Sequence, residues 1–257
     1  MARTSMETKH PSWQSLMPQS ILSEEFPSGY PRRCLHCQAR PLSICAALDA
    51  PELSAMERLG PETHFATKDA LFSEDDKARH VFNLTQGVAR LYRLLPDGRR
   101  HIVGFGLPGD FLGATSSDRY SFSADAITPI IACRFSRDKF LRFVESKPNI
   151  LRSMNEFEVR ELHLARNQML LLGSHSAEQR IALFLIGWRD RLARFGEIPE
   201  TLPLPMKRRD IADFLGMTIE TASRTLRRLE RKKLIVNVPR GVRLMNVARV
   251  EDLAWAR

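Results

Sequence analysis

Residues 207–236 read KRRDIADFLGMTIETASRTLRRLERKKLIV, and a helix, a turn and a second helix are legible in them. Arg208 to Leu215 predicts a short helix that buries Ile211, Phe214 and Leu215. Gly216 permits the tight turn, since a residue without Cβ enters left-handed backbone at little cost. Thr218 is a capping residue, and the second helix is predicted from Ile219 to about Lys232. Ile219, Ala222, Leu226 and Leu229 recur at helical spacing, which leaves the opposite face free. This is the helix-turn-helix pattern, whose second helix enters the major groove of DNA. Glu220, Thr221, Ser223 and Arg224 face outward at its start. Arginine grips guanine O6 and N7 in bidentate fashion, glutamate accepts from cytosine N4, and serine bonds either way. Glu220, Ser223 and Arg224 are therefore the expected base readers. Thr218, Thr221, Arg227, Arg228 and Lys232 are the expected phosphate contacts, with Arg231 and Lys233 beside them. Just beyond, LIVNVPRGVRLMN predicts a β-hairpin with Arg240-Gly241 at its tip, a wing. A mere helical hairpin with a basic surface has no need of cap, turn, outward polar set and wing together.

The charge distribution agrees. From Thr201 to Arg257 there are 13 Lys plus Arg against 6 Asp plus Glu, while the first 200 residues hold 26 against 24. A basic C-terminal fifth on a near-neutral body suits a polyanion-binding module joined to a sensor or catalytic body; a solvated basic surface is the plainer alternative. Nothing in the chain assembles a nucleophile–base pair or a catalytic metal motif, so an enzyme is not expected.

Upstream, PNILRSMNEFEVRELHLARNQMLLL runs from Pro148 without another Pro or Gly until Gly173. At about 1.5 Å per residue this is a rod of roughly 35 Å. Leu151, Met154, Leu162, Ala165, Met169 and Leu172 form one stripe, and Ile150, Phe157, Leu164 and Leu171 a neighbouring one. A stripe this wide can face both its own domain and a partner helix; an internal core helix is the alternative. Glu158 and Glu161 lie in or beside it, where like charges across a two-fold seam would weaken association unless Arg160, His163 or Arg166 satisfies them. Ser176 caps a following helix that stops by Gly196, and Ser136 is expected to cap SRDKFLRFVES. Between about Thr63 and Arg134, short alternating strands punctuated by glycine predict an all-β sandwich or roll, with a turn at Pro96-Asp97-Gly98. Asp49-Ala50-Pro51-Glu52 predicts a capping box opening a short helix to about Leu59.

Three of the four cysteines, Cys34, Cys37 and Cys45, fall within twelve residues, and Cys133 lies far off. So few make poor material for a disulfide framework, whereas clustered intracellular thiols more often bind metal or do redox work. Residues 1–33 carry Pro11, Pro18, Pro27 and Pro31 without periodicity and read as a flexible arm. They lack the unbroken apolar core of a secretory signal and no transmembrane run follows, so a cytoplasmic location without a membrane partner is expected.

From about Cys34 to Val250 the chain resembles the CRP/FNR family of bacterial transcription regulators, and most of all its FNR-type, oxygen-responsive iron–sulfur branch. The likeness rests on Cys34, Cys37, Cys45 and Cys133, on GFGLPGDFLG, on KPNI before the long helix, and on Glu220-Thr221-x-Ser223-Arg224. It implies an α+β architecture: a cyclic-nucleotide-binding-like β-roll sensor with the cysteine loop (34–146), a dimerisation helix (147–173) and a C-terminal winged helix-turn-helix (174–257).

The resemblance further implies a homodimer whose Glu220, Ser223 and Arg224 read a TTGAT/ATCAA inverted repeat in double-stranded DNA. Leu151, Met154, Glu158, Leu162, Ala165, Met169 and Leu172 are then the dimer seam. RNA polymerase is the partner in activation, through the 94–100 turn and the loop near Arg194 to Leu202. Cys34, Cys37, Cys45 and Cys133 become ligands of a [4Fe–4S] cluster that favours the dimer under low oxygen. Structural zinc also accepts four cysteines, usually as paired C-x2-C knuckles, of which only one is present. The seven-residue gap from Cys37 to Cys45 departs from the five of the best-known member and lengthens one ligand loop by two. His36 reads as an exposed loop residue. Cyclic nucleotide is not expected: relatives that bind it follow the glycine turn with an Arg-Ser or Arg-Thr pair, whereas here Ser121-Phe122-Ser123 stands there and Arg119 comes too early. A regulator of the same fold with no cluster, controlled by abundance or another ligand, is the second reading.

Overall fold

A computed structural model of the chain describes residues 31–174 and 176–255, without the side chains of 164, 167, 170–172 and 174. All but the last three residues of the expected arm, and the side chains of Leu164, Leu171 and Leu172 in the two stripes, lie outside the described residues. The described residues open with a helical turn α1 (Arg32–Leu35) that includes Cys34. Arg33 anchors this turn through an ion pair with Glu57 at 3.1 Å and bonds to the carbonyls of Glu57 and Gly60. Two 3-10 turns, Arg40–Leu42 and Ile44–Ala47, carry the chain past Cys45. The expected capping box then opens α2 (Ala50–Glu57), with Asp49 accepting from Glu52 N–H at 2.8 Å.

The sensor is a β-roll of eight strands: β1 (Glu62–Phe65), β2 (Ala70–Phe72), β3 (His80–Gln86), β4 (Ala89–Leu94), β5 (Arg100–Gly106), β6 (Phe111–Leu112), β7 (Ser123–Ala126) and β8 (Ile130–Ser136). They form two four-stranded antiparallel sheets, ordered β1-β8-β3-β6 and β2-β7-β4-β5. Their facing sides bury Phe72, Phe82, Leu84, Tyr120 and Ile130. Gly109 adopts φ +89, and a Cβ there would meet the Leu42 side chain at 2.8 Å, so its bareness lets the cysteine segment press against the glycine-rich turn.

Three helices follow: α3 (Arg137–Glu145), α4 (Pro148–Ser174) and α5 (Ala177–Ala193). Ser136 precedes α3 but its hydroxyl makes no capping bond, because the residue still belongs to β8. Ser176 does cap α5, in a box with Gln179. The C-terminal part comprises β9 (Thr201–Pro203), α6 (Arg208–Phe214), α7 (Ile219–Arg231), β10 (Ile235–Val238), β11 (Gly241–Leu244) and α8 (Val247–Trp255). The wing is present, with Pro239 and Arg240 rather than Arg240-Gly241 at its tip, since Val238 pairs directly with Gly241. It gains a third strand, β9, that the sequence reading did not anticipate.

One apolar cluster joins roll to DNA-binding part, packing Val88, Ile102, Phe105 and Leu107 against Phe184, Leu185 and Trp188. Buried charge reinforces it. Asp210 of α6 is only 3% exposed and meets Arg90 at 2.7 Å and Arg100 at 2.6 Å. Asp110, at the glycine-rich turn, meets Arg191 of α5 at 2.6 Å. Among the described residues no helix is long and apolar enough to cross a membrane.

Candidate nucleic-acid interface and cysteine cavity

Gly216 makes its turn at φ +60, and Thr218 caps α7 by accepting from Thr221 N–H at 3.2 Å. Ala222, Leu226 and Leu229 are buried as expected, joined by Thr225, while Ile219 in the first turn is exposed rather than buried. With about 100° between successive residues, Glu220, Arg224, Arg227 and Arg231 fall within an arc of roughly 60° on the outer face. All four are exposed; Ser223 and Thr221 flank them, half-buried. Thr218 and Thr221 also join hydroxyls at 3.1 Å. Arg228 and Lys232, also expected at phosphate, pair at 3.2 Å and 2.6 Å with the carboxylate of Glu178 in α5. The wing is tied to the recognition helix, Asn237 N–H donating to Glu230 at 2.8 Å and Arg208 donating to Asn237 Oδ1 at 2.8 Å. Burial holds the Arg208 guanidinium below its ordinary pKa.

The four cysteines arrive from three directions. Cys34 lies in α1 and Cys37 just beyond it, Cys45 in the second 3-10 turn, and Cys133 on β8 opposite Glu62 and Asn83. All four line one cleft of about 1850 Å³, which continues past Thr85–Gly87 to Lys207 and Arg240 of the DNA-binding part. All are half-buried free thiols. Burial pushes Cys34 up to about 11 and Cys45 and Cys133 up to about 12, and raises Cys37; the nearby sulfurs also oppose one another's ionisation at Cys45 and Cys133. Asn83, buried between them, donates to Cys45 Sγ at 3.6 Å and leaves its Oδ1 without a partner. The donor set therefore suits a thiophilic metal centre: soft sulfurs around a common cavity, with an unsatisfied amide beside them. As placed, the side chains are not drawn together, for among the described residues no three His, Cys, Asp or Glu stand at metal-holding distance. His36 is exposed.

The cysteine segment also touches α4. Asn149, in its first turn, donates to the carbonyl of Ala47 at 2.6 Å and to Glu52 at 3.1 Å, and Lys147 pairs with Glu52 at 2.9 Å. Ile44 and Ile150 belong to one apolar cluster against which Cys34, Cys45, Cys133, Met154 and Phe157 pack. On the neighbouring face of α4, about a third of a turn round, Leu151, Leu162 and Met169 remain 48%, 49% and 71% exposed. The two stripes thus divide, with Met154 turned partly toward its own domain. Glu158 and Ala165 are exposed with the second set. Glu161 lies nearer its own body, where Asp110 and Arg191 act on it. Within the roll, Tyr120 stacks on Phe72 at 4.2 Å beside the Ser121–Ser123 stretch, and Arg119 turns to the carbonyl of Asp75.

Asp210, Glu178, Asn83 and Asn149 escaped the sequence reading. Only Asn149 carried a signal, as part of KPNI.

A family model described as the cyclic nucleotide-binding domain matches residues 62–147, and one described as the Crp-like helix-turn-helix domain matches 179–253. The chain is 56% identical to the transcriptional activatory protein AadR of Rhodopseudomonas palustris over 87% of its own length and 94% of that protein's. It is 48% identical to the nitrogen fixation regulation protein FixK of Bradyrhizobium diazoefficiens, over 94% of this chain and all of that one. The solved structure of FixK2 from Bradyrhizobium japonicum matches with a TM-score of 0.70 and 32% identity, over 77% of this chain and 98% of that one. Those relatives are regulators of transcription and not enzymes. With roll, long helix and winged helix-turn-helix in the same order, the chain belongs to the CRP/FNR family of DNA-binding transcription regulators.

Proposed function

We propose that this regulator is an oxygen-responsive activator that dimerises along α4 under low oxygen and binds a TTGAT/ATCAA inverted repeat. The observation that carries the reading is the shared cavity of Cys34, Cys37, Cys45 and Cys133, with the Cys45 segment fastened to the first turn of the helix that bears the exposed apolar face. These cysteines would hold a [4Fe–4S] cluster, which when bound supplies an oxygen-labile cross-link between the loop and the roll.

The chain's own residues do the rest. Cys34, Cys37 and Cys45 on the loop and Cys133 on β8 would be the cluster's holders, so loop and roll would be joined only while it is bound. Asn149 and Ile150 pass the position of Ala47 and Ile44 to the start of α4. Leu151, Leu162 and Met169 offer the apolar seam, and Glu158 opposes its own copy across it, so association is weak enough to be switched. Glu220, Ser223 and Arg224 read base edges, while Arg227 and Arg231 meet phosphate. The exposed Leu94 and Leu95 at the β4–β5 turn support a polymerase contact there; Arg194, bonded to Asp110 and Leu42, does not offer one. The aromatic filling of the roll and the lack of an arginine at Ser121–Ser123 speak against cyclic nucleotide.

The test is anaerobic purification with iron and sulfide analysis. A brown protein with about four irons per chain that bleaches in air supports the reading. A colourless one favours the same-fold regulator without a cluster.

A further inference from the structure

We propose that Glu178 is a counter-anion built into the DNA-binding face: it competes with DNA phosphate for Arg228 and Lys232 and so sets the protein's general affinity for DNA. Glu178 belongs to α5, Arg228 to α7 and Lys232 to the C-cap of α7, yet one carboxylate pairs with both cations, hydrogen-bonded to Lys232 and in ion-pair contact with Arg228. Its exposure is uneven with theirs. The Glu178 side chain is 14% exposed, against 50% and 49% for Arg228 and Lys232. The carboxylate lies in the first turn of α5, beside the Ser176–Gln179 box, while both cations are half exposed. Among the described residues, Arg224, Arg227 and Arg231 make no ion pair. α7 therefore carries two kinds of cation: unpaired ones on the outer line and paired ones on its flank.

Non-specific DNA binding is almost wholly counterion release, one ion for each phosphate neutralised. A cation already balanced by a protein carboxylate neutralises a phosphate less fully, so fewer of the ions condensed on the DNA are released. Phosphate must displace Glu178 to use it, or share it, and either way the gain is reduced. The carboxylate thereby lowers affinity for every sequence and leaves base reading to carry a larger part of the binding. This inference rests on the DNA-binding assignment alone and needs no cluster.

The full chain is titrated with a TTGAT/ATCAA duplex and with a scrambled duplex over a range of salt. Glu178→Gln, which keeps the shape and removes the charge, is expected to bind the scrambled duplex several-fold tighter at low salt. The slope of log affinity on log salt should steepen by about one to two, at roughly 0.9 per phosphate. In an Arg228→Ala/Lys232→Ala background the gain should vanish. A second comparison works even if Glu178→Gln folds poorly: in the otherwise native chain, Lys232→Ala should lose clearly less slope than Arg227→Ala. Unchanged affinity and slope in Glu178→Gln, a gain that survives in the double-alanine background, or equal slope losses for Lys232 and Arg227 would each overturn the proposal. A native chain that binds neither duplex would overturn the DNA-binding assignment along with it.

Discussion

Arg224 occupies the outermost line of α7 with Glu220, one turn from a capped N-terminus that fixes where both side chains start. On the proposed reading, in which Arg224 grips a guanine, replacing it by alanine should cost about 1–3 kcal/mol of discrimination between the TTGAT repeat and a scrambled site. Competition binding checks this, and an unchanged preference would mean that another residue reads the base. Asp210 is the opposite kind of residue, one whose importance is invisible from its neighbours in sequence. It caps α6 through Lys207 N–H at 2.9 Å while pairing with two arginines of the roll. Asp210→Ala leaves Arg90 and Arg100 only partly compensated, by Asp125 and Asp213. It should therefore destabilise the chain by about 3 kcal/mol in urea denaturation. Thr218 and Gly216 were legible because a cap and a left-handed turn are decided within four residues. Asp210 and Glu178 were not, because their partners lie far along the chain and only the folded backbone brings them together.

Among elements, α4 shows what periodicity gives and withholds. Its 3/4 spacing marks two apolar stripes, but spacing cannot say which one the roll covers. The fold decides: Ile150 is fully buried against the cysteine segment, and Leu162, about a third of a turn round the helix, stands half exposed. The two positions should therefore fail differently. Ile150→Ala opens a cavity and should lower folding stability by about 2–5 kcal/mol. Leu162→Glu should leave the unfolding midpoint near the native value while weakening dimerisation at least tenfold, about 1.4 kcal/mol. Denaturation and sedimentation, run on both variants, separate the two effects. If Leu162→Glu sediments as the native dimer, the exposed stripe is not the seam. The roll was readable as strands from alternation and glycines, but not its strand order, since pairing β1 with β8 closes about seventy residues of chain and leaves no local mark. Strand β9 escaped for a related reason: three residues, TLP, become a strand only by lying beside β11.

At the scale of the whole molecule, the cysteine cavity, the first turn of α4 and the recognition helix form a continuous body. The Cys45 segment bonds to Asn149, the glycine-rich turn receives Leu42 on one side and Arg191 on the other, and Asp210 locks α6 to the roll. A change at the thiols therefore has a packed route to both the exposed apolar face of α4 and the DNA-binding part. Because a ligand can shift an equilibrium only by its differential affinity, coupling requires that cluster binding and dimerisation favour one another. Cys45→Ser should accordingly lose the visible absorbance, lower the dimer fraction and weaken operator binding under strictly anaerobic conditions, and air should change it little further. The most direct measurement is sedimentation of anaerobically purified native protein and Cys45→Ser, each with the TTGAT/ATCAA duplex, before and after exposure to air. The prediction is a brown, DNA-bound native dimer that bleaches, dissociates and releases the duplex in air, beside a colourless mutant that is largely monomeric throughout. A native protein whose dimer fraction and operator binding are the same in both atmospheres would contradict it.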